Sequence, residues 1–395
     1  MTEPPSPGAA VRRAAWRGAV AGAAAAGAVG AAAASAAAYF ARRVVTPDLE
    51  RSDDVEVLAV GTGTVTLRAD EETCAPGRYG LWLDGGRGHA RLGEVVQHDV
   101  RAGTVERAVL GVDAGRLRTG AARWNQYFYT GDPGSALGLE HSDIEIATPL
   151  GPMPAWLVPA AGAEGRGRWA VLVHGRGATR EECLRALPVL HRIGYTCLVV
   201  SYRNDRGAPR SRAGRYHLGD HEWLDVEAAV VHAVEQGAGE VVFVGWSMGA
   251  AIALQVANRS WTADRIRGLV LDAPVIDWRS VLSHHARLNR LPPPVGRLGQ
   301  AMLAHPWGWR LAGVDAPVDL DGMDWVTRAA DLRVPVLVLH SEDDETVPCR
   351  PSRLLADARP DLVTFVPSRG ARHTKEWNVD PDGWDAAVAR FLLGL

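Results

Sequence analysis

The sequence predicts an α/β fold: a doubly wound, mostly parallel sheet carrying a lid insertion, preceded by a small β-rich domain and an N-terminal hydrophobic helix. Three observations in the 395 residues carry that expectation. From about residue 144 onward, short continuous apolar runs alternate with helix-spaced segments, as in a parallel sheet covered on both faces. Residues 53–111 instead show strand-like runs broken by glycine-rich turns. Ahead of these, residues 18–41 carry no charge at all.

Residues 1–17 form a Pro-rich tail with Arg12, Arg13 and Arg17. The uncharged segment 18–41, closed by Arg42 and Arg43, exceeds the ~20 residues a helix needs to cross a bilayer. Alanine and glycine dominate it, which makes its transfer into lipid marginal. The small residues Ala34-Ser35-Ala36 also suit a signal peptidase. The expectation is a single-pass membrane anchor with the following domains extracytoplasmic. Secretion after signal cleavage is the first alternative, and a tail without membrane consequence the second.

Residues 47–140 read as a β-rich accessory domain. Val55-Glu56-Val57, Thr64-Val65-Thr66-Leu67 and Val105-Glu106-Arg107-Ala108-Val109 are its strand signals, and Asp84-Gly85-Gly86 is a hairpin turn, because glycine accepts positive φ. The aromatic run Trp124-Asn125-Gln126-Tyr127-Phe128-Tyr129 is expected to pack in a core. Residues 141–395 read as the α/β domain. Strand-like residues 144–147 and 153–158 flank a Pro-Leu-Gly-Pro turn, and buried-strand runs follow at 169–173, 197–200, 241–244, 269–271 and 336–339. Asp220 is placed to cap a helix bearing Trp223, Val226, Val230 and Val234 at helical spacing. Residues 275–332 break the alternation with Pro292-Pro293-Pro294, several tryptophans and His284, His285 and His305, an insertion read as a lid.

Hydrophobic and charged fractions of 47% and 23% are near the globular average, and a net charge of -3 removes the electrostatic case for a nucleic-acid partner. Cys74, Cys183, Cys197 and Cys349 stand far apart without a C-x-x-C pair, so neither a zinc site nor a redox motif is signalled. No metal or organic cofactor is expected.

Gly245-Trp246-Ser247-Met248-Gly249 follows the run 241–244 and precedes the helix-like residues 250–257. A G-x-S-x-G match arises by chance ~0.2 times in such a chain, so the pentapeptide alone decides little. A strand, sharp turn and helix around it supply the context that exposes a strained serine.

In this and three further motifs the chain resembles the α/β-hydrolase family, over roughly residues 143–395. The family's strand-H-G-x-x-D-x-x-V-P pattern aligns its acid with Asp344 in Leu337-Val338-Leu339-His340-Ser341-Glu342-Asp343-Asp344, with Ser341 in place of the usual glycine. Gly370-Ala371-Arg372-His373 occupies the place of the family's histidine, after residues 363–366. Val173-His174-Gly175-Arg176-Gly177 resembles the family's H-G-x loop, and the resemblance makes the backbone N–H groups of Arg176 and Met248 the oxyanion-hole donors. It further implies a chain order of serine, acid and histidine, which Ser247, Asp344 and His373 obey. Arg203, at the end of another strand, is a candidate substrate contact.

These readings imply a serine hydrolase that cleaves a small-molecule carboxylic ester through an acyl-enzyme on Ser247, with His373 as general base and Asp344 orienting it. The rival is a serine peptidase resembling prolyl oligopeptidases but without their propeller, since ~100 residues cannot supply blades of ~40 residues each. A non-catalytic, membrane-tethered binding protein on the same fold is the third reading.

Overall fold

The structure, a computed structural model, describes residues 7–48, 52–162 and 167–395, and from residue 26 onward, with Trp16, their side chains as well. The tail residues 1–6 and the side chains of Arg12, Arg13 and Arg17 therefore lie outside the described residues.

Helix α1 (Pro7–Val45) contains the uncharged segment. Among the described residues no helix is long and apolar enough to cross a membrane, which overturns the single-pass anchor. The cause lies in composition: alanine and glycine lengthen a helix but add little transfer free energy. The last turns of α1 are moreover used by the protein itself. Ala37, Phe40, Ala41 and Val45 are buried, and α1 packs along two helices of the insertion.

Strands β1 (Val55–Val60), β2 (Thr64–Arg68), β3 (Tyr79–Leu83), β4 (Gly88–Asp99), β5 (Thr104–Ala114) and β6 (Gly120–Asn125) close into an antiparallel barrel in the order β1-β2-β5-β4-β3-β6. Alternating residues such as Val57, Leu67, Tyr79, Leu81, Leu92 and Trp124 fill it. The turn expected at Asp84-Gly85-Gly86 joins β3 to β4, with Gly85 and Gly86 at φ 66° and 88°. Arg107 is wholly buried, and its guanidinium donates to the carbonyls of Thr73, Ala75, Gly77 and Gly93, fixing the β2–β3 loop.

That loop grips the end of the chain. Arg78 N donates to Asn378 O (2.8 Å), and Asn378 Nδ2 donates back to Arg78 O (2.6 Å) and to Gln126 O (2.8 Å). Arg372 lies against Glu71, Glu72 and Glu345, and Lys375 pairs with Glu72.

The second sheet has eight strands among the described residues: β7 (Ser142–Thr148), β8 (Gly151–Val158), β9 (Arg168–Val173), β10 (Thr196–Val200), β11 (Glu240–Trp246), β12 (Ile266–Asp272), β13 (Val336–Ser341) and β14 (Val363–Ser368). Their order is β14-β13-β12-β11-β9-β10-β8-β7; β9 to β14 are parallel, and the β7–β8 hairpin is antiparallel at one edge. The helices are α2 (Pro133–Leu137), α3 (Leu187–Arg192), α4 (Trp223–Glu235), α5 (Met248–Arg259), α6 (Trp278–Leu288), α7 (Pro293–Ala304), α8 (Trp309–Ala312), α9 (Arg350–Ala358), α10 (Glu376–Val379) and α11 (Pro381–Leu393). One core joins α4, α5, α9 and α6 to α8 on one face of the sheet, and another joins α3, α10 and α11 on the other. Burial on both faces is why the central strands are continuously apolar.

One local expectation changes. Asp220 does not cap α4: Glu222 occupies the cap position with its carboxylate turned to the amides of His217 and Gly219, while Asp220 accepts from Arg259 Nη1 (2.8 Å) and Asp319 N (3.0 Å). In the insertion, Trp307 is exposed, Trp309 packs on the core, and α6 supplies the residues nearest the ends of the central strands.

Candidate active site

All the motif residues gather at the carboxyl ends of the parallel strands, beside the point where β9 and β11 lie adjacent and the chain turns off in opposite directions, the usual place for a site in such a sheet. Strand β11 runs directly into α5 through Ser247, whose φ of 52° is strained for a side-chain-bearing residue. The flanking glycines are sterically required. A Cβ at Gly245 would lie 2.8 Å from Ala250 N, and one at Gly249 would fall inside the Val173 carbonyl. Ser247 N donates to Asp272 O (3.0 Å), tying the turn to β12.

Ser247 Oγ lies 2.9 Å from His373 Nε2, and His373 Nδ1 lies 2.7 Å from Asp344 Oδ2. The other Asp344 oxygen accepts from the amides of Thr346 and Val347, both at 2.8 Å. Among the described residues the neighbouring Asp343 carboxylate accepts only from Gly370 N (2.8 Å), away from the Ser247–His373–Asp344 chain. Burial alone pushes the Asp344 carboxyl up, but His373 and His340 outweigh it and hold the carboxyl well below the usual range. Burial likewise opposes the charged form of His373, and the Asp344 carboxylate more than compensates, raising the imidazole above its ordinary value.

Sequence reading missed the groups that hold these loops. His340, wholly buried at the end of β13, places Nε2 3.2 Å from Asp344 Oδ2 and 3.1 Å from Val347 O; with two acceptors there, that nitrogen carries the hydrogen. It stands at the histidine of the strand-H-G-x-x-D pattern, so the signal was present. Glu182 Oε2 accepts from Gly175 N (2.7 Å), and Arg185 Nη1 donates to Thr374 O (2.7 Å), so one turn after β9 braces both the H-G-x loop and the histidine loop. Glu376 Oε1 accepts from Ser341 N (2.9 Å), and the buried Asp272 carboxylate lies close enough to act on the same carboxyl. Burial pushes the Glu376 carboxyl well up, and the adjacent Asp272 adds to it.

His174 is buried against Asp205 (2.8 Å), with its ring stacked on Tyr202. Among the described residues no hydrogen bond engages the backbone amides of Arg176 and Met248. Arg203 is not at the site. It is buried, with Nε and Nη2 each 2.8 Å from the Asp225 carboxylate and its amide on the same group, because Asp225 at the start of α4 supplies a planar partner that matches the guanidinium.

Ser247 and His373 open into a cleft of about 910 Å³. Its apolar wall is Val275, Trp278, Val281, Leu282 and Val347, and its mouth carries Arg42, Arg43, Glu72, Glu345 and Lys375. Among the described residues no group of three or more His, Cys, Asp or Glu side chains is placed to hold a metal ion, and the four cysteines are free thiols.

The α/β hydrolase family matches residues 170–387, and the chain belongs to that family. Residues 56–125, which span the barrel, match a family described as a domain of unknown function (DUF8805). No curated protein matches the chain. Among solved structures, an esterase from Pyrococcus furiosus is 19% identical with a TM-score of 0.52, covering 67% of this chain and 94% of its own. A hydrolase from Pseudomonas aeruginosa PA01 is 20% identical with a TM-score of 0.46, covering 64% and 98%. An esterase from Rhodococcus is 18% identical with a TM-score of 0.45, covering 64% and 99%. The Pyrococcus likeness is one of fold.

Proposed function

We propose that this protein hydrolyses carboxylic esters through an acyl-enzyme on Ser247. The observation that carries the reading is the unbroken hydrogen-bond chain from Ser247 Oγ through His373 to Asp344 at the floor of an apolar-walled cleft. Ser247 Oγ attacks the acyl carbon as its proton passes to His373 Nε2. The alkoxide of the tetrahedral intermediate accepts from the Arg176 and Met248 amides, each worth ~10²-fold or more. The intermediate collapses as His373 returns the proton to the departing alcohol. Water, deprotonated by the same imidazole, then attacks the acyl carbon and frees the acid, regenerating Ser247. Asp344 stays ionised throughout and holds Nδ1–H.

The insertion 275–332 acts as the lid, with α6 facing the acyl chain. An apolar wall selects by buried area, so preference among acyl groups is graded. The peptidase reading is less favoured: two of the acids that line the cleft, Glu72 and Glu345, are already paired with Lys375 and Arg372, which leaves Asp48 as the described carboxylate a peptide amine could meet. A fluorophosphonate probe should label the wild type and not Ser247→Ala, and p-nitrophenyl esters should be turned over with higher kcat/KM than alanyl or prolyl anilides. Labelling that persists in Ser247→Ala, or an anilide that outranks every ester, refutes the proposal.

A further inference from the structure

The end of α1 stands in the same cleft as Ser247: Tyr39, Phe40, Val44 and Thr46 line it. Phe40 is 5% exposed and meets α7 where that helix has no side chain; a Cβ at Gly299 would lie 3.2 Å from both Phe40 Cδ1 and Ala37 O. The helix end is also tied down. The last carbonyls of a helix lack intrahelical partners and carry partial negative charge. Here the Arg176 guanidinium takes them, Nε donating to Val44 O (2.6 Å) and Nη2 to Arg43 O (3.0 Å) and Thr46 O (2.8 Å). Tyr216 N donates to Val45 O (2.8 Å), and Arg42 Nε donates to Leu311 O (2.8 Å) in α8.

Arg176 therefore has two faces: a backbone amide in the H-G-x loop and a side chain that is the main tie to α1. We propose that the C-terminal end of α1 is a working part of the site, its side chains walling the acyl cleft and its carbonyls, through the Arg176 guanidinium, holding the oxyanion loop in place. This rests on Ser247 being the nucleophile. Phe40 is then a specificity-determining residue, and the Arg176 side chain a positioning residue that acts through its own amide. A segment whose composition resembles a membrane span is instead a wall of the cleft.

The test uses the full chain and point variants, with active serines counted by fluorophosphonate labelling and kcat and KM measured per labelled serine on p-nitrophenyl acetate, butyrate, octanoate and laurate. Arg176→Ala keeps the amide but loses all three side-chain bonds, so kcat should fall about 10-fold or more on every ester with little change in KM. Arg176→Lys, which restores one flexible donor, should recover part of the loss. Phe40→Ala should raise the laurate-to-acetate ratio of kcat/KM by about 10-fold. Gly299→Leu, outside the cleft, pushes α1 off α7 and should produce both changes together, which keeps the proposal testable if Arg176→Ala does not fold. If α1 is only a structural prop, the variants lower the labelled fraction or the Tm while kcat per labelled serine and the ester ratio stay at wild-type values, and the proposal falls. Absence of labelling and turnover in the wild type overturns the hydrolase mechanism itself, and the two failures are thereby distinct.

Discussion

Asp344→Asn is the sharpest probe of the site because all four partners of the carboxylate are donors. Oδ1 receives the amides of Thr346 and Val347, and Oδ2 receives His373 Nδ1 and His340 Nε2. An asparagine has one acceptor oxygen and one NH2, so either orientation sets the NH2 against two donors. If the NH2 faces His373, the imidazole must take the other tautomer, with Nε2 protonated toward Ser247 and unable to act as base. Loss of the correct tautomer is worth up to ~10⁴-fold in kcat. If the amide turns the other way, two loop amides lose their acceptor, the buried Val347 N at about 1–3 kcal/mol and the half-buried Thr346 N at less. Either route also forfeits the interactions that hold the carboxyl low. Asp343→Asn supplies the control, since its one bond, from Gly370 N, is accepted equally well by an amide oxygen. The assay is kcat on p-nitrophenyl butyrate together with urea denaturation of both variants. Asp344→Asn activity above about a hundredth of wild type, or an equal loss in Asp343→Asn, would refute the assignment.

Turnover needs neutral His373, whose pKa is raised, so kcat/KM should rise with pH along an acid limb centred above the ordinary value of 6.5; a limb centred below it contradicts the Asp344 pairing. The same pairing gives stability that is full below the unfolded value and fades as pH climbs through the folded one, whereas the depressed Asp344 gives stability present above ~3.9 and lost as pH falls through its folded value, both readable from urea midpoints against pH. Arg203→Ala should leave KM unchanged while costing about 3–5 kcal/mol in urea denaturation, since it strands a buried Asp225; a raised KM at unchanged stability would restore it as a substrate contact. Gly249→Ala should fail to fold or lose more than about 4 kcal/mol, because its Cβ has no room against Val173; a soluble variant with wild-type Tm contradicts the elbow geometry.

The parallel sheet was legible because its strands are buried on both faces and therefore written as unbroken apolar runs. The juxtaposition of Ser247, Asp344 and His373 was legible for a related reason: Ser247 and Asp344 each follow such a run, His373 follows the edge strand β14, and strand ends on one edge of a parallel sheet converge. What escaped was pairing without periodicity. Arg203 meets an aspartate 22 residues away, and nothing in the intervening sequence marks that partnership. Residues 18–41 misled because hydropathy was read without neighbours. Ala37 and Ala41 are wholly buried where α1 packs along α7 and α8, and small residues serve close helix packing as readily as they fill a span. Glu182 and Glu376 look like ordinary surface acids in the sequence, and only the backbone amides they receive reveal otherwise.

The clasp between the barrel and the histidine loop bears on how the site comes into being. Asn378 and Arg78 are 300 positions apart, and the Arg372–Glu71 and Lys375–Glu72 contacts span similar distances. Contacts of such range are made late, because the chain must surrender its loop entropy before they repay it. During refolding from denaturant, the sheet and its helices can therefore assemble while the histidine-bearing turn still awaits its grip. Recovery of the proposed ester-cleaving activity should trail recovery of the far-ultraviolet signal, and the lag should shorten when the barrel is already folded at the start.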